Sequence, residues 1–98
     1  PWLTLAHEIP DPHNLGLRTF VNGERRQDGN TRHLIYGIYE QISYLSQVMT
    51  LKPGDILATG TPAGVGLAFD PPKYLSPGDV VRLEIDGVGH IENRIVQG

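Results

Sequence analysis

The chain has 98 residues, one small domain at most, with 8 basic and 11 acidic side chains and a net charge of −3. No basic stripe marks a nucleic-acid surface, the absence of cysteine rules out a disulfide framework or thiolate zinc site, and no apolar run approaches the roughly 18 residues of a membrane span. Twelve glycines and eight prolines favour a turn-rich β architecture over a bundle, and with no signal-peptide pattern visible the expected location is the cytoplasm.

Pro1 to Leu5 reads as a short extended piece with Trp2, Leu3 and Leu5 to bury. The stretch Ala6 to Asn14 carries Pro10 and Pro12, which forbid a helix there. His7, Glu8 and His13 suggest a metal site, but the helical His-Glu-x-x-His spacing fails because Asp11 stands where the second His belongs. Leu15 to Val21 predicts a strand, and Asn22-Gly23 a two-residue hairpin turn pairing Val21 with Glu24, Phe20 with Arg25 and Thr19 with Arg26. The returning arm, Glu24 to Asp28, is wholly polar and reads as a charged edge strand. Its functional reading is that Arg25, Arg26 or Gln27 faces a ligand. Asp28 to Thr31 predicts a second turn leading into a helix.

Ile35, Ile38, Ile42, Leu45 and Met49 step by three and four, one stripe of a helix over about 34–50. Gly37 weakens its first turn, so the regular part is expected to begin nearer Ile38. Tyr36, Tyr39 and Tyr44 flank the stripe and suit a core edge or a subunit contact. Lys52-Pro53-Gly54 is the expected stop. Ile56 to Ala58 then reads as a buried strand that delivers Thr59-Gly60-Thr61-Pro62-Ala63-Gly64-Val65-Gly66 to one spot. Glycines there allow close approach to a ligand, and amides plus threonine hydroxyls suit an anionic oxygen such as a carboxylate or enolate. A connecting loop with a tight turn explains the composition equally well. No phosphate-loop or dinucleotide fingerprint is present, and no paired-carboxylate or nucleophile–base motif stands out.

Leu67 to Ser76 predicts a loop. Pro77-Gly78-Asp79 repeats Pro53-Gly54-Asp55, a turn device shared before two apolar strands. Val80 to Asp86 alternates, with Val81, Leu83 and Ile85 on one face. Matching that face to Ile91 requires a three-residue connection, pairing Leu83 with Ile91, Arg82 with Glu92 and Glu84 with His90, with Gly87 or Gly89 at positive φ. His90 is then an outer-face residue opposite Glu84.

The run Gly54 to Gly66 resembles the signature of the fumarylacetoacetate hydrolase family. Pro1-Trp2-Leu3, Glu8-Ile9-Pro10-Asp11-Pro12, Val21-Asn22-Gly23-Glu24, Gln27 to Thr31, Leu45-Ser46, Met49-Thr50-Leu51 and Pro77 to Val81 resemble the same family in the same order. His7, where an acidic residue is common, and Leu34-Ile35-Tyr36-Gly37 depart from its pattern. The resemblance implies a mainly β (α+β) fold, a rolled, barrel-like mixed-β sheet with one main helix, and usually a homodimer. Residues 1–98 would be the C-terminal part of a single catalytic domain. The activity implied is on 2-oxo acids and acylpyruvates: C–C bond hydrolysis, decarboxylation, or isomerisation and hydration of ring-cleavage products. A divalent cation, Mg2+ or Mn2+, would be held by two Glu and an Asp upstream of Pro1, so no metal ligand is expected in this chain. The position carried over most clearly is Thr61 as a substrate contact, with Gly60 and Thr59 adjacent candidates. The chain alone is expected to be inactive. The alternative is a non-catalytic module of the same family that binds or dimerises, or a piece that serves packing only.

Overall fold

A computed structural model describes residues 2–98; Pro1, which opens the first extended piece and one of the family-like motifs, lies outside the described residues. Four antiparallel strands form one sheet: β1 (Gly16–Val21), β2 (Glu24–Asn30), β3 (Val80–Ile85) and β4 (Gly89–Arg94), in the order β2-β1-β3-β4. One helix, α1 (Ile38–Val48), joins them to make the expected α+β fold.

The β1–β2 turn has Asn22 at φ 50° and Gly23 at φ 82°, the left-handed pair that matches strand twist in a two-residue hairpin. Val21 pairs with Glu24 and Phe20 with Arg25, as the sequence predicts. The next pair departs from expectation: Thr19 faces Gln27, because the ladder shifts by one residue between Thr19 and Phe20. The extra residue is Arg26, bulged out of the ladder. β2 is the edge strand predicted, but it runs through Asp28 and Gly29, so the second turn begins only at Thr31. There the Asn30 side chain accepts from the Arg32 amide and starts a short 3-10 turn.

Strand β3 pairs with β4 as the apolar alternation requires: Leu83 with Ile91, Arg82 with Glu92, Glu84 with His90. The connection is Asp86-Gly87-Val88, and both Gly87 (φ 72°) and Gly89 (φ 125°) lie at positive φ. The sheet has two unlike faces. Leu17, Thr19 and Val21 share one with Val81, Leu83, Ile85 and Ile91; Arg18, Arg82, Glu84 and Glu92 form an ion-paired set on the other. Val21 is the one buried hydrophobic side chain among the described residues. Trp2 lies against Gly89 at one end of the apolar face.

Helix α1 begins at Ile38, where the weak first turn at Gly37 puts the regular part, and stops two residues short of the 34–50 expected. Gly37 is its N-cap, and the Ile38 amide donates to His13 Nε2 at 2.9 Å. It ends at Val48 with Met49 extended (φ −150°), before Lys52-Pro53-Gly54 is reached. Its apolar stripe is not buried: Ile35, Ile42 and Met49 are exposed, as are the three tyrosines. Tyr36, Tyr44, Leu45 and Leu57 instead line a shallow groove of about 480 Å³.

Ile56 to Ala58 is a correction. The segment has no regular secondary structure and belongs to no ladder, and Ile56 is 95 % exposed. An apolar run becomes a strand only where neighbouring backbone completes its hydrogen bonds, and no strand of this sheet runs alongside it. The repeated turn device is real. In both copies the Asp amide donates to the carbonyl three residues back, while its carboxylate accepts that residue's amide.

Candidate functional site

The loop carrying Thr59, Gly60 and Thr61 crosses the apolar face of the β1–β2 hairpin. Pro62 packs over Gly29 beside Leu17, where a side chain at Gly29 would have to displace the proline ring. Farther on, Gly64 (φ 106°) passes so close to the Arg26 carbonyl that a methyl group there would collide with it. The bulge at Arg26 and the glycine at 64 therefore fit one another.

Gln27 fastens this loop. Its Nε2 donates to Thr61 Oγ1 at 2.8 Å and to the Pro62 carbonyl at 2.9 Å. Its Oε1 accepts from Thr19 Oγ1 at 2.9 Å. Thr61 remains exposed, so its hydroxyl is anchored from below and open above. Among the described residues, the amides of Thr59, Gly60 and Thr61 find no acceptor. An exposed hydroxyl beside unengaged amides is suited to bind an oxyanion. Gln27 was one of three edge residues for which the sequence offered a ligand-facing reading. The structure puts Arg25 in an ion pair with Asp28, and Arg26 over the Phe69 ring at 5.5 Å, beside Glu24.

Beyond the loop, Phe69 is flanked by Arg26 and by Lys73, whose Nζ lies 5.0 Å from the ring centroid. Lys73 also donates to Glu24 at 2.7 Å, and this bond holds the Glu24 carboxyl below its usual range. On the ion-paired face, the hydrogen bond from Arg82 lowers Glu84 likewise, with smaller contributions from Arg18 and His90. The Glu84–His90 juxtaposition is a cross-strand surface pair, away from the Thr61 loop.

Of the residues that suggested a metal site, Glu8 and His13 have local roles, as does the neighbouring Asp11. Glu8 accepts from the Leu5 amide, Asp11 from the His13 amide, and His13 caps α1 while meeting Tyr39 edge-on at 5.0 Å. Among the described residues, no three His, Asp or Glu side chains come together in a way that holds a cation.

The fold recurs in known proteins. A bifunctional isomerase/decarboxylase of 4-hydroxyphenylacetate degradation from Salmonella dublin is 54 % identical over 96 residues, 98 % of this chain and 21 % of that protein. Maleylpyruvate hydrolase from Sphingobium sp. SYK-6 superposes with a TM-score of 0.90 at 46 % identity, over all of this chain and 34 % of its own. The same hydrolase in complex with manganese(II) and pyruvate superposes at 0.89 and 45 % identity, over 99 % of this chain and 34 % of its own. The chain thus spans about a fifth to a third of the length of these relatives. The family model for the fumarylacetoacetate (FAA) hydrolase C-terminal region matches residues 1–96, and the chain belongs to that family.

Proposed function

We propose that the 98 residues are the C-terminal part of a catalytic domain whose full-length protein acts on 2-oxo acids from ring cleavage, by C–C hydrolysis, decarboxylation or isomerisation. The Thr59-Gly60-Thr61 loop holds the substrate's carboxylate or its developing enolate. The observation that carries this is the exposed Thr61 hydroxyl, fixed on Gln27 beside amides with no internal acceptor. Related enzymes named for hydrolysis, isomerisation and decarboxylation support the general kind of chemistry. A hydrogen bond that strengthens as charge develops on oxygen lowers the barrier, which is what such a loop contributes.

A divalent cation, Mg2+ or Mn2+, belongs to the full-length protein in this reading, with ligands outside these 98 residues. A relative's complex with manganese and pyruvate supports the pairing of cation and oxo acid. The same reading makes the full-length protein a cytoplasmic homodimer and the 98-residue chain inactive alone. No described helix is long and apolar enough to cross a membrane.

Thr61→Val in the full-length protein tests the assignment. Losing a hydrogen bond to a charged oxygen costs about 1.5–3 kcal/mol, so kcat/KM should fall roughly 10- to 150-fold on the protein's oxo-acid substrate. Unchanged kcat and KM would remove the loop from the mechanism.

A further inference from the structure

The bulge at Arg26 decides which way Gln27 faces. In a regular two-residue hairpin residue 26 would oppose Thr19, and residue 27 would point to the ion-paired side of the sheet. With the bulge, Gln27 opposes Thr19 and lies under the Thr61 loop.

Once there, the amide has one satisfactory orientation. The Pro62 carbonyl can only accept, so Nε2 must face the loop, and the Thr19 hydroxyl completes the arrangement by donating to Oε1. One Nε2 proton goes to Pro62 and the other to Thr61 Oγ1. Thr61 is thereby made an acceptor toward Gln27. Its own proton is left over, and among the described residues it meets no acceptor.

We propose that Gln27 is a positioning residue: acting through Thr61, it sets that hydroxyl as a hydrogen-bond donor toward a carboxylate or enolate oxygen of the substrate. This rests on the loop being the anion's contact, as proposed above. An amide donating from below leaves the hydroxyl proton for the ligand, whereas a carboxylate in its place takes that proton and repels the anion.

The test is pyruvate binding to the full-length protein in the presence of Mn2+, measured by calorimetry. The variants are Thr61→Val, Gln27→Met, Gln27→Glu and the double variant Gln27→Met with Thr61→Val. Unfolding midpoints are recorded for each. Thr61→Val is expected to weaken pyruvate binding about tenfold or more, and Gln27→Met about three- to tenfold. In the Thr61→Val background, Gln27→Met should change binding less than twofold, because its effect passes through the missing hydroxyl. Gln27→Glu, nearly isosteric, should weaken binding at least as much as Gln27→Met, and it carries the test if the Met variant does not fold. If Thr61→Val binds pyruvate like the parent, the loop assignment itself is overturned. If Thr61→Val binds weakly but Gln27→Glu binds like the parent, only the role of Gln27 is overturned. That role also fails if Gln27→Met costs the same factor in both backgrounds, as a merely structural residue would.

Discussion

At Gly64 the loop backbone runs against the Arg26 carbonyl with φ at 106°, so both space and conformation exclude a side chain. Gly64→Ala should destabilise the full-length protein by about 2 kcal/mol or more, read as a shift in the denaturant midpoint. An unchanged midpoint would mean that the loop does not sit on the bulge. Carboxylates make a second prediction at this scale. Asp79 is held below its ordinary value near 3.8 by the Ser76 amide and then by Asn22, and Glu24 and Glu84 are held below 4.5 by Lys73 and Arg82. Groups with lowered folded-state values bind fewer protons folded than unfolded in this range, so stability rises with pH there. Their contribution is complete above about pH 5 and is lost as pH falls through 4.5 and below. Unfolding midpoints between pH 7 and pH 3 should show that fall, and Asp79→Asn should make it shallower.

Asn22 joins two elements at once. It takes the left-handed turn position between β1 and β2, and its side chain accepts from the Val80 amide and donates to Asp79, tying the hairpin to the start of β3. Asn22→Ala should therefore cost about 1–3 kcal/mol, more than loss of a turn residue alone, by denaturant titration. A loss of a few tenths would show that β3 docks without it. This hairpin turn was legible in the sequence because Asn-Gly has few other uses. The β3–β4 register was legible because Leu83 and Ile91 must share a face. The β2 register failed beyond Arg25 for the complementary reason: an all-polar arm has no apolar alternation to reveal a bulge. The face that Gln27 takes stayed hidden with it, since the pairing inferred from the turn set Arg26 opposite Thr19. Nothing local to Gln27 signals a partner at Thr61. Ile56 to Ala58 misled because a strand's composition does not reveal whether a neighbouring strand exists.

The whole chain exposes 7715 Å², against about 5,500 Å² for a folded monomer of this mass. Its radius of gyration is 15.6 Å, where about 13 Å is usual at this length. Exposed large hydrophobic side chains contribute to the excess, among them the α1 stripe, Ile56, and Leu83, Ile85 and Ile91 on the sheet. Further polypeptide is expected to cover these surfaces in the full-length protein. Hydrogen exchange should then find the amides of residues 56–58, under the covering polypeptide, more protected in the full-length protein than in the 98-residue chain. Equal protection in both would show that this chain orders the segment unaided. The most direct measurement of the central claim is a crystal structure of the full-length protein with Mn2+ and pyruvate. The account predicts a pyruvate oxygen about 2.6–3.2 Å from Thr61 Oγ1, with Gln27 still donating to that hydroxyl from the other side. Ordered pyruvate elsewhere, with Thr61 bonded only to protein, would contradict it.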